Sequence, residues 1–185
     1  MIIKIMKLNV KTMVNIAVLI SLSVLLKRFL TIHLPVGILN FGGFPIIFAG
    51  FFLGPYAGAI TGILSDITGY IAFPRGPYIP IFTITSMLTG ALPPLIILLL
   101  KRKENATFLS ILIAVLIPQV LTKLFIIPLT MQFCFGIPFF VSLIKTSITA
   151  AIHIPIYSFF VYSILQKINE SYIKIKKAGD KNAYL

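Results

Sequence analysis

The chain has no tryptophan, a single cysteine (Cys134) and only four acidic residues, Asp66, Glu104, Glu170 and Asp180, among its 185. One cysteine excludes an internal disulfide and any multi-cysteine metal site, and Cys134 reads as a small membrane-buried side chain. Charge of either sign is scarce as well. Only 11% of residues are charged against 58% apolar, and the mean hydropathy is +1.05, whereas a soluble domain is about a quarter charged. That excludes an ordinary water-soluble globule. Several motifs are missing. No Gly-x-x-x-x-Gly-Lys-Ser/Thr loop is present to bind ATP phosphates, and no His-Glu-x-x-His to hold a metal. Neither a Ser/His pair nor an acidic pair stands at the spacing an intramembrane protease needs. With one acid, Asp66, inside the apolar segments, a carboxylate relay for ion-coupled transport is poorly supplied. Concentrating a solute then takes energy from a partner, and no cofactor is expected.

What remains is apolar sequence broken by Gly, Pro and basic clusters. Runs near the roughly 20 residues that span a bilayer recur, so the expectation is an all-α integral membrane protein in a single domain over 1–185. Six segments emerge: Val10 to Leu30, Val36 to Leu53, Tyr56 to Phe73, Ile79 to Leu100, Ala106 to Thr130 and Ile137 to Gln166. The first has the layout of a signal peptide but ends at Lys27-Arg28-Phe29 without a small-residue cleavage site, and is read as a retained helix. The second starts poorly as a helix because of Gly37, Gly42, Gly43 and Pro45. Its stretch Val36 to Pro45 is a candidate cap over a cavity, since a bare apolar loop is costly in lipid.

Sixteen Lys and Arg give a net charge of +12. Lys4, Lys7 and Lys11, then Lys101-Arg102-Lys103, then Lys167, Lys174, Lys176, Lys177 and Lys181 all fall on one side if six helices are crossed. That side is the cytoplasm by the basic-loop rule, with both termini inside. The basic, polar tail from about 167 is expected to be a fraying helix end plus disorder. Gly50, Gly54, Gly58 and Gly62 recur every fourth residue and predict a close junction between the second and third helices, and Ala17-x-x-x-Ser21 puts a weaker small-residue pair on the first.

Five basic residues are left over: Lys27, Arg28, Arg75, Lys123 and Lys145. Counting from the expected helix ends, Lys123 and Lys145 lie at a common depth of roughly 10–12 Å on adjacent helices. A charge inside the membrane costs on the order of 3 kcal/mol and usually faces a cavity or a partner. Asp66 alone cannot neutralise them, so a ligand is expected to bring negative charge. The alternative is snorkelling to the headgroups, the reading preferred for Lys27 and Arg75 taken singly. Gln119 shares a helix face with Lys123, and Thr149 with Lys145, with His153 one turn further. His153 by itself reads more readily as a packing histidine. Thr83, Thr85, Ser86 and Thr89 line one helix, and Asp66 is open to pairing with a lysine or with a ligand. Phe41, Phe44, Phe73, Tyr78 and Phe82 suit an interfacial belt or walls that stack on a planar ligand. Together these describe an outward-facing pocket for a flat, anionic small molecule.

The run from Phe41 to Gly90, FGGFPIIFAGFFLGPYAGAITGILSDITGYIAFPRGPYIPIFTITSMLTG, resembles the substrate-binding S components of energy-coupling factor vitamin transporters, and among them the folate family. Its FGGFP, LGPYAGAITG, SDITGY and FPRGPYIPIFT motifs cover about a quarter of the chain. The resemblance implies a six-helix S-component fold in a prokaryotic plasma membrane, with a vitamin site near the outer face. It also implies partners: a membrane coupling subunit that reads an Ala-x-x-x-Ala pattern, here Ala17 and Ser21, and two ATP-hydrolysing subunits. Carried onto this sequence, Arg28, Arg75, Lys123 and Lys145 become anion partners. Asn40, Phe41, Asp66, Tyr78, Phe82, Thr83, Gln119 and Thr149 become candidates for the rest of the wall. Another vitamin or precursor such as pantothenate or a pyrimidine, a membrane enzyme acting on lipid headgroups, and a ligand-free structural subunit are the competing readings.

Overall fold

Glycine and proline set most of the helix boundaries. The structure, a computed structural model, describes residues 9–34, 37–74, 76–100 and 107–182, with those in 33–38 and 168–182 given by backbone alone. Helix α1 (Val10–Phe29) leads into an antiparallel hairpin of β1 (Thr31–Leu34) and β2 (Gly37–Asn40), paired Thr31 to Asn40 and Ile32 to Leu39. Then come α2 (Gly43–Leu53), α3 (Pro55–Ala72), α4 (Pro80–Leu99) and α5 (Phe108–Val120). A π-helical stretch (Leu121–Ile126) joins α5 without interruption to α6 (Ile127–Phe135), and α7 (Phe139–Asn182) completes the chain. Pro55 and Pro80 stand at helix starts, where the missing N–H costs nothing. Gly54, at φ 107°, makes the corner between α2 and α3. Gly136, at φ 67°, stops α6, its N–H bonding Gln132 O at 3.1 Å while that of Ile137 reaches Met131 O at 3.2 Å.

Four expectations are corrected. The second segment is helical only from Gly43. Pro35, Gly37 and Gly42 disfavour a helix upstream, and the hairpin satisfies its backbone groups through the ladder instead. The fifth segment continues five residues beyond Thr130, because Gly136 is its stop signal. Measured from Phe135 and Phe139, Lys123 lies roughly 17 Å and Lys145 roughly 9 Å from their helix ends, so the two lysines do not share a depth. Finally, the backbone past Gln166 is helical to Asn182 rather than disordered.

Among the described residues, four helices are long and apolar enough to cross a membrane: Val10–Phe29, Pro80–Leu99, Phe108–Phe135 and Phe139–Lys167. α2 has the apolarity but only 11 residues. α3 carries Thr61, Ser65, Asp66 and Thr68, which lower its hydropathy. α2 is mostly buried, and α3 buries the face that carries Ala57, Gly58, Thr61, Gly62 and Ser65. Gly58 of α3 and Gly90 of α4 touch backbone to backbone, an added Cβ on either falling on the other's carbonyl, and Gly50 of α2 meets the same Gly90. Gly62 rests on Ser86 in the same way. The glycine stripe thus closes a three-helix contact among α2, α3 and α4, with Gly90 as the partner the spacing did not reveal. The apolar core lies among α2, α4, α5 and α7, around Ile47, Phe51, Ile97, Ile111, Val115 and Val161. α1 buries only Ile16 and Ser23 and is the outermost rod. Cys134 is exposed at the end of α6. The basic clusters at Lys4 and Lys7 and at Lys101 to Lys103 lie outside the described residues, as do the side chains of Lys174 to Lys181.

Candidate functional site

Alternating helix directions bring the C-terminal ends of α1, α3 and α6, the N-terminal ends of α2, α4 and α7, and the hairpin to one end of the bundle. Polar side chains concentrate there. A cavity of about 530 Å³ opens among them, lined by Lys27, Asn40 and Gly43, by Thr85, Ser86 and Thr89 of α4, by Gln119, Thr122, Lys123 and Met131, and by Ser142, Lys145, Thr146, Thr149, His153 and Tyr157 of α7. A second cavity, of about 360 Å³, adjoins it and shares Lys27, Asn40 and Met131; Arg28, Asp66, Tyr70, Tyr78 and Phe82 add to its wall.

Local bonds hold this frame. The Ser23 hydroxyl donates to Gly42 O at 2.7 Å, Thr31 Oγ1 to Lys27 O at 2.6 Å, and Tyr157 O–H to Asn40 O at 2.8 Å, so the hairpin is tied to α1 on one side and α7 on the other. Pro118 lies three residues before the π-helical stretch and Pro128 two after it, each removing a helical N–H. Thr122 Oγ1 donates to Pro118 O at 2.8 Å, and the Ile127 N–H reaches Thr122 O, the wider repeat of a π-helix. Lys123 sits in the middle of that stretch, and its ammonium meets Nδ1 of His153. The His153 ring stacks on Tyr157 (centroids 5.0 Å apart, 17° between planes) and receives Phe41 edge-on at 6.2 Å.

The sequence-predicted residues separate into groups. Asn40, Gln119, Lys123, Lys145 and Thr149 line the larger cavity, while Arg28, Asp66, Tyr78 and Phe82 line the smaller, with Asn40 common to both. Arg28 donates to Gly69 O at 2.5 Å and lies 5.2 Å over the Phe73 ring. Thr83 faces neither cavity. It is buried, donates to Asp66 Oδ2 at 2.8 Å and bonds Tyr78 O–H at 2.7 Å, so it fixes two wall residues. Phe41 stands behind His153 rather than in the wall. Arg75 lies outside the described residues. Ala17 and Ser21 are exposed on α1, with the Ser21 hydroxyl folded onto Ala17 O at 3.0 Å.

Two residues were undervalued. Lys27, expected to snorkel, points into both cavities and pairs with Asp66 at 3.7 Å. As the one acid in the apolar segments, Asp66 required a cation at its own end of the bundle, and that was the available signal. His153, expected to be a satisfied packing residue, is 3% exposed, and among the described residues its Nε2 has no partner at hydrogen-bond distance; the side-chain oxygen of the 2% exposed Gln119 is likewise unpartnered among them. With Asp66 committed to Lys27, no carboxylate faces Lys123 or Lys145 among the described residues. The cavity therefore carries surplus positive charge beside unused hydrogen-bonding atoms, an arrangement complementary to an anionic, polar-edged molecule.

Comparison with known proteins agrees with this architecture. A curated relative, the folate transporter FolT of Clostridium novyi (strain NT), is 29% identical over 170 residues, spanning 92% of this chain and 96% of its own length. A crystal structure of FolT bound with folic acid superposes with a TM-score of 0.74 at 25% identity, covering 86% of this chain and 97% of that one. The S component of a bacterial ECF transporter superposes at 0.61 with 19% identity over 88% of this chain and 97% of that one, a likeness of fold. These neighbours are transporter components and not enzymes. Residues 7–170 match the family described as ECF-type riboflavin transporter, S component, and the chain belongs to that family of membrane transport proteins.

Proposed function

We propose that the chain is the folate-binding S component of an ATP-driven uptake system in a prokaryotic plasma membrane. It spans the bilayer six times with both termini cytoplasmic. The cavity lies away from the C-terminus of α4 and the N-terminus of α5, between which the basic residues 101–103 fall in sequence, and the basic-loop rule then favours a position near the outer face. The observation that carries the reading is the uncompensated positive charge of Lys123 and Lys145 in a cavity large enough for a vitamin. Folic acid has a flat pterin and a glutamate tail with two carboxylates. Lys145, Arg28 on the smaller cavity's wall and Arg75, next to that wall in sequence, are the cations proposed for the tail. Asn40, Gln119, Thr149, Tyr78 and Phe82 are the groups proposed for the rest of the molecule, and Asp66 and Thr83 hold Lys27 and Tyr78 in place. FolT supplies the nearest support for folate among the named neighbours.

With no P-loop in the sequence, energy comes from partners: a membrane coupling subunit, proposed to dock at Ala17 and Ser21, and two ATPases. The family description favours a second reading, riboflavin. Riboflavin has no carboxylate and would leave the lysines unpaired. Calorimetric titration of the detergent-purified protein with folic acid and riboflavin separates the two: folate binding at least a hundredfold tighter supports the proposal, and the reverse order replaces folate by riboflavin.

A further inference from the structure

The most specific unassigned feature of the cavity is a pair of buried, unused hydrogen-bonding atoms on one wall. Gln119 lies one turn before Lys123 on the same helix, and Lys123 meets His153 across the α5/α7 boundary, so all three gather at one level of the larger cavity. An ammonium has three N–H donors and no acceptor. Its contact with Nδ1 therefore makes that nitrogen the acceptor and places the imidazole proton on Nε2. Stacking on Tyr157 and the edge of Phe41 fix the ring plane. The outcome is a donor, Nε2–H of His153, and an acceptor, Oε1 of Gln119, on two residues that line the same cavity. Both are nearly fully buried, and among the described residues neither has a partner at hydrogen-bond distance, the backbone of Asn40 being the further group that acts on the His153 ring.

We propose that His153 and Gln119 read the edge of the ligand's heterocycle, selecting rings that present an acceptor next to an N–H donor, as the lactam and amino edge of a pterin does, and that Lys123 is the positioning residue that sets the His153 tautomer. This rests on the folate reading above. It assigns the cavity two functions: lysine charge for the tail, and a preset donor–acceptor pair for the ring.

The test uses the full-length protein in detergent. Replacing the only other histidine (His33→Gln) leaves one imidazole to observe. Nitrogen-15 NMR of that ring is expected to show a neutral Nε2–H tautomer without ligand, a shift at Nε2 but not at Nδ1 on adding folic acid, and a tautomer mixture in Lys123→Met. In calorimetry, Gln119→Leu and His153→Phe are each expected to weaken folic acid at least tenfold. His153→Gln, whose amide N–H reaches the place of Nε2, should recover most of that loss. A resting Nδ1–H tautomer, an Nε2 that ignores saturating folic acid, or Gln119→Leu binding within twofold of the parent overturns the inference while folate binding stands. If the parent binds no folic acid, the functional reading fails instead, and the ligand-free spectrum still decides the preset tautomer.

Discussion

At the scale of single residues, the account turns on which lysines are already neutralised. Lys27 has Asp66 at 3.7 Å, and Asp66 in turn accepts from Thr83 at 2.8 Å and Ser86 at 3.4 Å. Asp66→Asn leaves Lys27 inside the bundle without its counter-charge. Because stranding one member of an inward ion pair is the costly change, a lower melting temperature is expected for this variant by light-scattering thermal unfolding in detergent. A compensating Lys27→Met in the same chain should restore part of it, and no restoration would show that the pair does not couple. Sequence reading reached this site through charge counting, which works in lipid because a misplaced charge is expensive. It undervalued Lys27 because a basic residue at a helix end has an easy escape to the headgroups. Only the fold shows that Gly42 packs against its stem and holds it inward.

At the scale of elements, the hairpin and the glycine contact carry the architecture. Tyr157→Phe removes one bond to β2, from Tyr157 O–H to Asn40 O, about 1 kcal/mol of stabilisation. If the hairpin caps the ligand, stopped-flow measurements should show folate leaving several-fold faster with its association rate little changed, whereas an unchanged dissociation rate would separate the hairpin from the cap. Gly90→Ala places a methyl on the Gly58 carbonyl, where backbone rather than a flexible side chain must yield. A loss on the order of 3 kcal/mol is expected, visible as a marked fall in melting temperature. Five of the six apolar segments were legible to within a few residues at most of their ends, because bilayer length and Gly or Pro punctuation coincide there. The hairpin was not legible. Its four-residue strands lie in a Gly- and Pro-rich run whose pattern is as compatible with a loop, and pairing is a non-local property. The π-helical stretch was hidden too, since no residue type marks it beyond the flanking Pro118 and Pro128.

At the scale of the whole molecule, the described residues divide into a polar, hollow region around the cavity and an apolar, filled one around Phe51, Ile97, Val115 and Val161. α1 stands outside with Val10, Met13, Val14, Val18 and Leu22 uncovered. Such a rod has lipid or a partner subunit as its neighbour. Replacing Ala17 and Ser21 by Leu leaves the cavity untouched, so folate binding to the isolated protein should stay within twofold while uptake by cells carrying the complete transporter falls at least tenfold. Equal uptake would move the docking surface elsewhere. The most direct measurement of the central claim is calorimetric titration of folic acid into detergent-purified protein, parent beside Lys145→Glu. Lys145 lines the cavity on α7 and is among the more exposed residues, which makes it a tolerant position for charge reversal. The account predicts a tight, one-to-one complex for the parent and a loss of at least a hundredfold, about 2.7 kcal/mol, on reversal. Tight binding that survives the reversal unchanged would contradict it, because the ligand would then owe nothing to the charge that identifies the cavity.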